Sequence, residues 1–259
     1  MSEDGKRDFV SALEALKGSL LADGRIDLCE AAVLLRLVRP FVANGVTVAV
    51  ELDRLLREVC EDGVVTQEES DRLVGFIELL TDADVLSLGQ YVSTVPDFPK
   101  PGVIFRDITG ILDTAEGFKL AVDLIVKALN GVKFDVVVAM ESRGFIFGAA
   151  VADRLGKAFV PVRKPGKLPP PTIHVDYTLE YGTATLHMRA DAVLPGERIV
   201  VIDDLLATGG TAAAAAKLVE KLGGTVVKMV FPIELEGFEA RRNALAGYDV
   251  VSLVQYQGK

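Results

Sequence analysis

The sequence predicts an α/β protein, a mostly parallel sheet flanked by helices, preceded by an all-α helical domain. Three observations carry this reading. From Leu86 onward, strand-length apolar runs alternate with helix-length amphipathic segments, the pattern of strand–helix–strand units. Residues 1–82 instead carry apolar residues at helical spacing throughout. Between the two lie the expected domain boundaries, 1–82 and 83–259. The third observation is the run Ile199-Val200-Val201-Ile202-Asp203-Asp204-Leu205-Leu206-Ala207-Thr208-Gly209-Gly210-Thr211. Four apolar β-formers lead straight into two carboxylates, a small-residue turn and an alanine-rich helix. A wholly apolar strand of this kind is buried on both faces, as in a parallel sheet.

Taken in order, helices are expected at Asp8–Leu21, Leu28–Val42, Val48–Val59 and Gln67–Leu80. The connectors contain a weak repeat, Asp23-Gly24-Arg25-Ile26-Asp27-Leu28-Cys29-Glu30 against Asp62-Gly63-Val64-Val65-Thr66-Gln67-Glu68-Glu69. One reading is a helix–turn–helix in which Asp27 or Thr66 caps the next helix, with Glu30 or Glu69 as capping-box partner. The other is the second half of a calcium-binding loop. Its early ligand positions, however, hold Ser19 and Leu21 in one copy and Glu58 and Cys60 in the other. The Asp-Gly turns give this segment a short resemblance to the small helical domains of the tellurite-resistance (TerB-like) family.

The second part predicts a helix at Gly117–Leu129, a buried strand at Phe134–Met140, a helix at Gly144–Leu155 and a strand at Ala158–Val162. An alternating strand follows at Tyr181–Met188, then the strand Ile199–Ile202 and the helix Ala212–Leu222, ended by Gly223-Gly224. Strands at Thr225–Phe231 and Val250–Val254 complete the order.

Composition narrows the function classes. Residues 1–82 hold 17 acids against 9 Lys/Arg, a net charge of −8, and residues 83–259 are nearly neutral at −1. An acidic segment of this kind is a poor nucleic-acid surface, which needs a basic face. No apolar run reaches the ~18 residues of a membrane span, and the polar N-terminus lacks a signal-peptide core. Cys29 and Cys60 are too few for a disulfide scaffold or a zinc site, and read as small hydrophobes in a reducing cytosol. A cytoplasmic protein bound neither to nucleic acid nor to membrane is expected.

Ligands of open α/β sheets sit at the carboxyl ends of the strands, where Asp203 and Asp204 would stand. Adjacent carboxylates suit the two hydroxyls of a ribose and help hold a hydrated divalent cation. Ala207, Thr208, Gly209, Gly210 and Thr211 offer backbone N–H groups at a helix start, which favours a phosphate. No Gly-Lys-Ser/Thr follows, so this is not a Walker loop. Alone, the stretch could be a buried strand followed by a glycine turn.

Four further segments bear chemistry. Val95-Pro96-Asp97-Phe98-Pro99-Lys100-Pro101-Gly102-Val103-Ile104-Phe105-Arg106-Asp107-Ile108 reads as a rigid loop presenting an aromatic face and backbone polar groups. Glu141-Ser142-Arg143-Gly144-Phe145 follows a strand, and Arg143 suits a diphosphate or a surface ion pair. Pro161 to Pro171 gathers Arg163, Lys164 and Lys167 in a Pro/Gly-rich loop, either a solvated loop or an anion-gripping lid. Leu179-Glu180-Tyr181-Gly182 says little unaided.

Together these five segments resemble, in order and spacing, the adenine phosphoribosyltransferase family of type I phosphoribosyltransferases. The resemblance covers residues from about 83 to 259. It implies the type I phosphoribosyltransferase fold with a small hood, and the conversion of adenine and phosphoribosyl pyrophosphate into AMP and pyrophosphate with Mg2+. By this resemblance Ile104, Phe105 and Arg106 bind adenine, the ring stacking and the main chain reading the base edge. Arg143, after a cis Glu141–Ser142 peptide, and Lys164 and Lys167 bind the pyrophosphate. Glu180 transfers a proton, with Tyr181 beside it as a substrate contact. Asp203, Asp204 and Ala207–Thr211 hold the ribose and 5′-phosphate. Relatives are typically homodimers. The alternatives are a phosphoribosyl-pyrophosphate-sensing regulator, or an enzyme for another purine base. The partner of the N-terminal domain is left open by the sequence.

Overall fold

The computed structural model describes residues 3–44, 46–81, 83–178, 183–237 and 243–257. The chain divides into two units, one of residues 1–83 with 127–132, the other of residues 84–126 with 133–259. Among the described residues, no helix is long and apolar enough to cross a membrane.

The first unit is built from α1 (Glu3–Leu20), α2 (Leu28–Ala43), α3 (Thr47–Val59) and α4 (Gln67–Leu80). Phe9, Leu13, Leu34, Val38, Leu52, Leu56, Leu73 and Ile77 are buried, each on the apolar stripe of its helix. Both Asp-Gly turns resolve as capping boxes. Asp27 accepts from the Glu30 N–H while Glu30 accepts from the Asp27 N–H, and Thr66 and Glu69 do the same. Asp23 and Asp62 accept the N–H groups of Arg25 and Val64 inside their own turns. Gly24 and Gly63 supply the left-handed step, at φ 75° and 77°. Asp23, Asp27, Glu30, Asp62 and Glu69 of the repeat are thus engaged within the turns. Buried Ser70 ties the two turns together by accepting the Ile26 N–H at 2.8 Å.

In the second unit α5 (Ala83–Leu88) and a short 3₁₀ turn (Gly89–Tyr91) lead to β1 (Ser93–Pro96) and β2 (Ile104–Asp107). Then come α6 (Thr109–Leu112), α7 (Ala115–Ala128), β3 (Val136–Met140), α8 (Gly144–Leu155) and β4 (Ala158–Val162). After these follow β5 (Thr172–Thr178), β6 (Thr183–Arg189), β7 (Arg198–Ile202), β8 (Leu205–Leu206), α9 (Gly210–Lys221), β9 (Thr225–Glu236) and β10 (Val250–Gln257). The central sheet has the order β10-β9-β7-β3-β4, with β8 continuing beside β9, and every pairing in it is parallel. All five residues of β3 are buried, which is why the apolar runs show no alternation. The alanines of α9 have a packing reason. Ala212, Ala214, Ala215 and Ala216 are buried in the cluster that holds Val201 and Met229 of the sheet and Val175 and Leu186 of the β5–β6 hairpin. Small side chains let one helix pack closely against both.

Two expectations are corrected, and one strand is added to those expected. The Pro-rich stretch 95–108 is not only a loop: β1 and β2 pair antiparallel, Val95 opposite Phe105 and Thr94 opposite Arg106. The prolines sit at the strand end and in the connection, where no ladder N–H is needed. The lid segment gives way at Thr172 to β5, which pairs with β6 to form the hood hairpin. β9 runs past Pro232, the register passing from Ser252↔Phe231 to Val254↔Ile233, because Ile233 is held on its other side by the Asp204 carbonyl.

Candidate active site

The strand order builds the site. β3 lies between β7 and β4, so the loop after β3 stands between the acids after β7 and the cations after β4. Parallel pairing puts all three loops at the same, carboxyl, end of the sheet. The Glu141–Ser142 peptide is cis.

Toward β7, the Arg143 Nε donates to Asp204 Oδ2 at 2.5 Å. The Asp204 side chain is 9% exposed and that of Arg143 50%, so the guanidinium bridges from a buried acid to solvent. Burial, followed by the neighbouring Asp204 charge, pushes the Asp203 carboxyl well above its usual range, with the Arg143 charge opposing. Gly144 is required here, since a Cβ would stand 2.4 Å from Asp203 Oδ1 and 3.2 Å from the Ile202 carbonyl oxygen. Asp107, at the end of β2, accepts from Thr109 N and Oγ1, which with the Arg143 charge hold its carboxyl below the usual value.

Toward β4, Glu141 accepts from Arg163 Nε and Nη2 at 3.2 Å each and from the Lys164 N–H at 3.1 Å. The Arg163 hydrogen bond is the main reason its carboxyl is lowered. Arg163 also donates to the Lys167 carbonyl and lies over the Phe145 ring. One carboxylate thus fixes the start of the lid segment against the Arg143 loop. The Lys164 and Lys167 side chains are exposed, directed to neither acid by any hydrogen bond of the described residues.

The phosphate loop has the form expected of an anion site. Gly209 takes φ 78° immediately before α9 and, without a side chain, gives the helix no side-chain cap. The first-turn N–H groups of Gly210 and Thr211, with the helix dipole, favour an anion at that end. Phe105 is half-buried and meets Phe98 edge-to-face at 5.2 Å, a fixed aromatic surface. The Arg106 side chain is turned away from this surface, over the Tyr256 ring and onto Thr94. Glu180 and Tyr181 lie outside the described residues. Sequence reasoning gave no role to Glu141, Asp107 or Gly144. The partners of Glu141 and Gly144 are distant in sequence, Arg163 being 22 residues from Glu141, and only the strand order brings them together, whereas Asp107 is bonded locally to Thr109.

Comparison with known proteins agrees with this geometry. The phosphoribosyl transferase domain profile matches residues 108–251. The chain is 54% identical over 172 residues to the adenine phosphoribosyltransferase of Lachnoclostridium phytofermentans, covering 66% of this chain and 98% of that one. It is 52% identical over 171 residues to that of Thermotoga maritima, with the same coverages. The crystal structure of adenine phosphoribosyltransferase from Thermoanaerobacter pseudethanolicus superposes with a TM-score of 0.64 at 50% identity, over 66% of this chain and 99% of that one. The Saccharomyces cerevisiae enzyme, complexed with an imino-altritol bisphosphate and adenine, gives 0.62 at 36% identity over 66% and 98%. A parallel sheet carrying paired acids, an arginine loop and a glycine phosphate loop, matched over nearly the full length of such enzymes, places this chain in the adenine phosphoribosyltransferase family.

Proposed function

We infer that the second unit transfers the 5-phosphoribosyl group of phosphoribosyl pyrophosphate to adenine, releasing pyrophosphate and forming AMP, a purine-salvage reaction. The observation that carries this reading is the convergence, at one sheet end, of Arg143 with Asp204, the cations after β4 and the Gly209–Thr211 helix start.

Arg143 and Asp204 form an ion pair that neutralises both charges. A substrate diphosphate competes for the guanidinium, whose fork matches its oxygens, and frees Asp204 for a ribose hydroxyl. Asp203 beside it accepts the other hydroxyl, and the α9 N-terminus holds the 5′-phosphate. As the pyrophosphate departs, positive charge grows on the ribose ring. Arg143, Lys164 and Lys167 stabilise the leaving oxygens, while the lid segment and hood keep water from the ring. Phe105 stacks on the base, and Glu180 manages the proton displaced as the purine nitrogen attacks. The hard oxygen donors of Asp203 and Asp204 fit Mg2+, which would neutralise charge on the diphosphate when bound with the substrate.

The two cysteines are unpaired, which suits a reducing cytoplasm, and a homodimer is the assembly we assign. The helical unit is a partner-binding or regulatory module. The purified chain with Mg2+ and phosphoribosyl pyrophosphate is expected to form AMP from adenine and to discriminate against hypoxanthine, guanine and xanthine. Binding of phosphoribosyl pyrophosphate without turnover of any base would replace this reading with that of a sensor.

A further inference from the structure

The hairpin that carries Ile104–Arg106 forms a two-stranded sheet of its own and shares no ladder with the six-stranded sheet. Its position in the site therefore depends on side-chain packing. Phe105 and Arg106 are successive strand residues and face opposite sides. Phe105 meets Phe98 on one side. On the other, the Arg106 guanidinium lies 4.5 Å from the centroid of the Tyr256 ring, on edge strand β10. Arg106 also donates to Thr94 Oγ1, its register partner on β1. Its Nε is buried without a hydrogen-bond acceptor, so on that side the charge is met by the aromatic face. A guanidinium withdrawn from water gains more from a ring quadrupole than an exposed one. Tyr256 is itself held, its hydroxyl donating to the Gly89 carbonyl at 3.2 Å. A Cβ at Gly89 would stand 3.6 Å from that hydroxyl and 3.6 Å from Val254 Cγ1, so the 3₁₀ turn packs directly on β10.

We propose that Tyr256 is a positioning residue for the acceptor base. Its ring, acting through Arg106, sets where β2 stands against the central sheet, and so where the Phe105 ring and the main-chain groups of residues 104–106 meet adenine. This rests on the reading of β2 as the base-binding strand. The groups read as phosphoribosyl contacts follow β3, β4 and β7 or open α9, outside the hairpin. Loss of the ring should therefore loosen the base site and leave the phosphoribosyl site in place. A residue needed only for folding would affect both substrates and the melting temperature together.

The test is steady-state kinetics of the full chain, with KM for adenine and for phosphoribosyl pyrophosphate measured separately, alongside a thermal melt. Tyr256→Leu is expected to raise KM for adenine roughly five- to tenfold, between the exposed and fully desolvated limits of a cation–π contact. KM for phosphoribosyl pyrophosphate should stay within about twofold. Tyr256→Phe, which keeps the ring, is expected to restore KM for adenine to near the unmodified value. Arg106→Met, which keeps the stem and removes the charge, is expected to raise KM for adenine similarly, and the double variant no further. An unchanged KM for adenine in Tyr256→Leu, equal losses for both substrates, or multiplicative losses in the double variant would overturn the proposal. If Tyr256→Leu does not fold, Arg106→Met decides by the same criterion. Absence of AMP formation by the unmodified chain would remove the base-site reading and this inference with it. Normal turnover with an unaffected variant removes the inference alone.

Discussion

Asp203 shows how a site residue sets stability against function. Desolvation of this half-buried carboxyl, with the Asp204 charge beside it, pushes it well above the ordinary range. The folded chain therefore holds that proton more tightly than the unfolded chain does. As pH rises from the ordinary carboxyl range toward the raised value, the unfolded state ionises first and the fold loses stability. Asp203→Asn keeps the Oδ1 acceptor that receives the Asp204 N–H and abolishes the ionisation. A higher melting temperature at pH 7 is expected, with the gain vanishing below about pH 4, where both states are protonated. Turnover should fall at least tenfold as the ribose contact weakens. Gly144→Ala is expected to cost about 1–3 kcal/mol by denaturant titration. The carboxylate at 2.4 Å can turn aside, but the Asp203 Cα and the Ile202 carbonyl oxygen at 3.2 Å are backbone. Glu180→Gln is expected to lower kcat by roughly 10²–10⁴ while the proton is in flight. Full turnover in that variant would leave the proton transfer to another group.

At the scale of elements, the two Asp-Gly turns are the clearest case of local sequence deciding local structure. Both capping boxes form with the residues spaced three apart that the repeat supplies. Thr66→Ala removes an acceptor for the Glu69 N–H and is expected to cost the helical unit about 1 kcal/mol, with Thr66→Ser restoring most of it. A urea titration followed by circular dichroism would read the difference, and an unaltered midpoint would mean that the cap contributes nothing measurable. The β1–β2 hairpin was hidden for the opposite reason. Pro96, Pro99 and Pro101 mask a four-residue pairing that tolerates them only because they fall at the strand end and in the connection. Likewise β5 follows directly on the Pro-rich lid, and its partner β6 supplies the hydrogen bonds that its own sequence does not announce.

At the scale of the molecule, relatives are matched over nearly their whole length by about two thirds of this chain, 98% of one by 66% of the other. The family match, residues 108–251, lies beyond the four N-terminal helices. A chain of residues 83–259 that folds is expected to form AMP with kcat/KM within about tenfold of the full chain, a limit of about 1.4 kcal/mol on what the helical unit adds to transition-state binding. A loss beyond a hundredfold would make the helical unit part of the enzyme.

The sequence by itself determined the order of helices and strands, the parallel character of the sheet and the chemistry gathered after three of its strands. Those features rest on interactions between near neighbours in the chain: apolar period, capping spacing, and glycine where φ is positive. It also carried the family pattern, because the Asp203–Asp204 pair and the Gly209–Gly210 turn are contiguous. What only the tertiary structure decided is who meets whom. Strand order alone sets β3 between β7 and β4. It thereby hands Arg143 to Asp204, 61 residues away, and Glu141 to Arg163, 22 residues away. It also brings the Arg106 side chain to the Tyr256 ring. Such pairings depend on the sheet's lateral order, a global property that apolar periodicity does not encode.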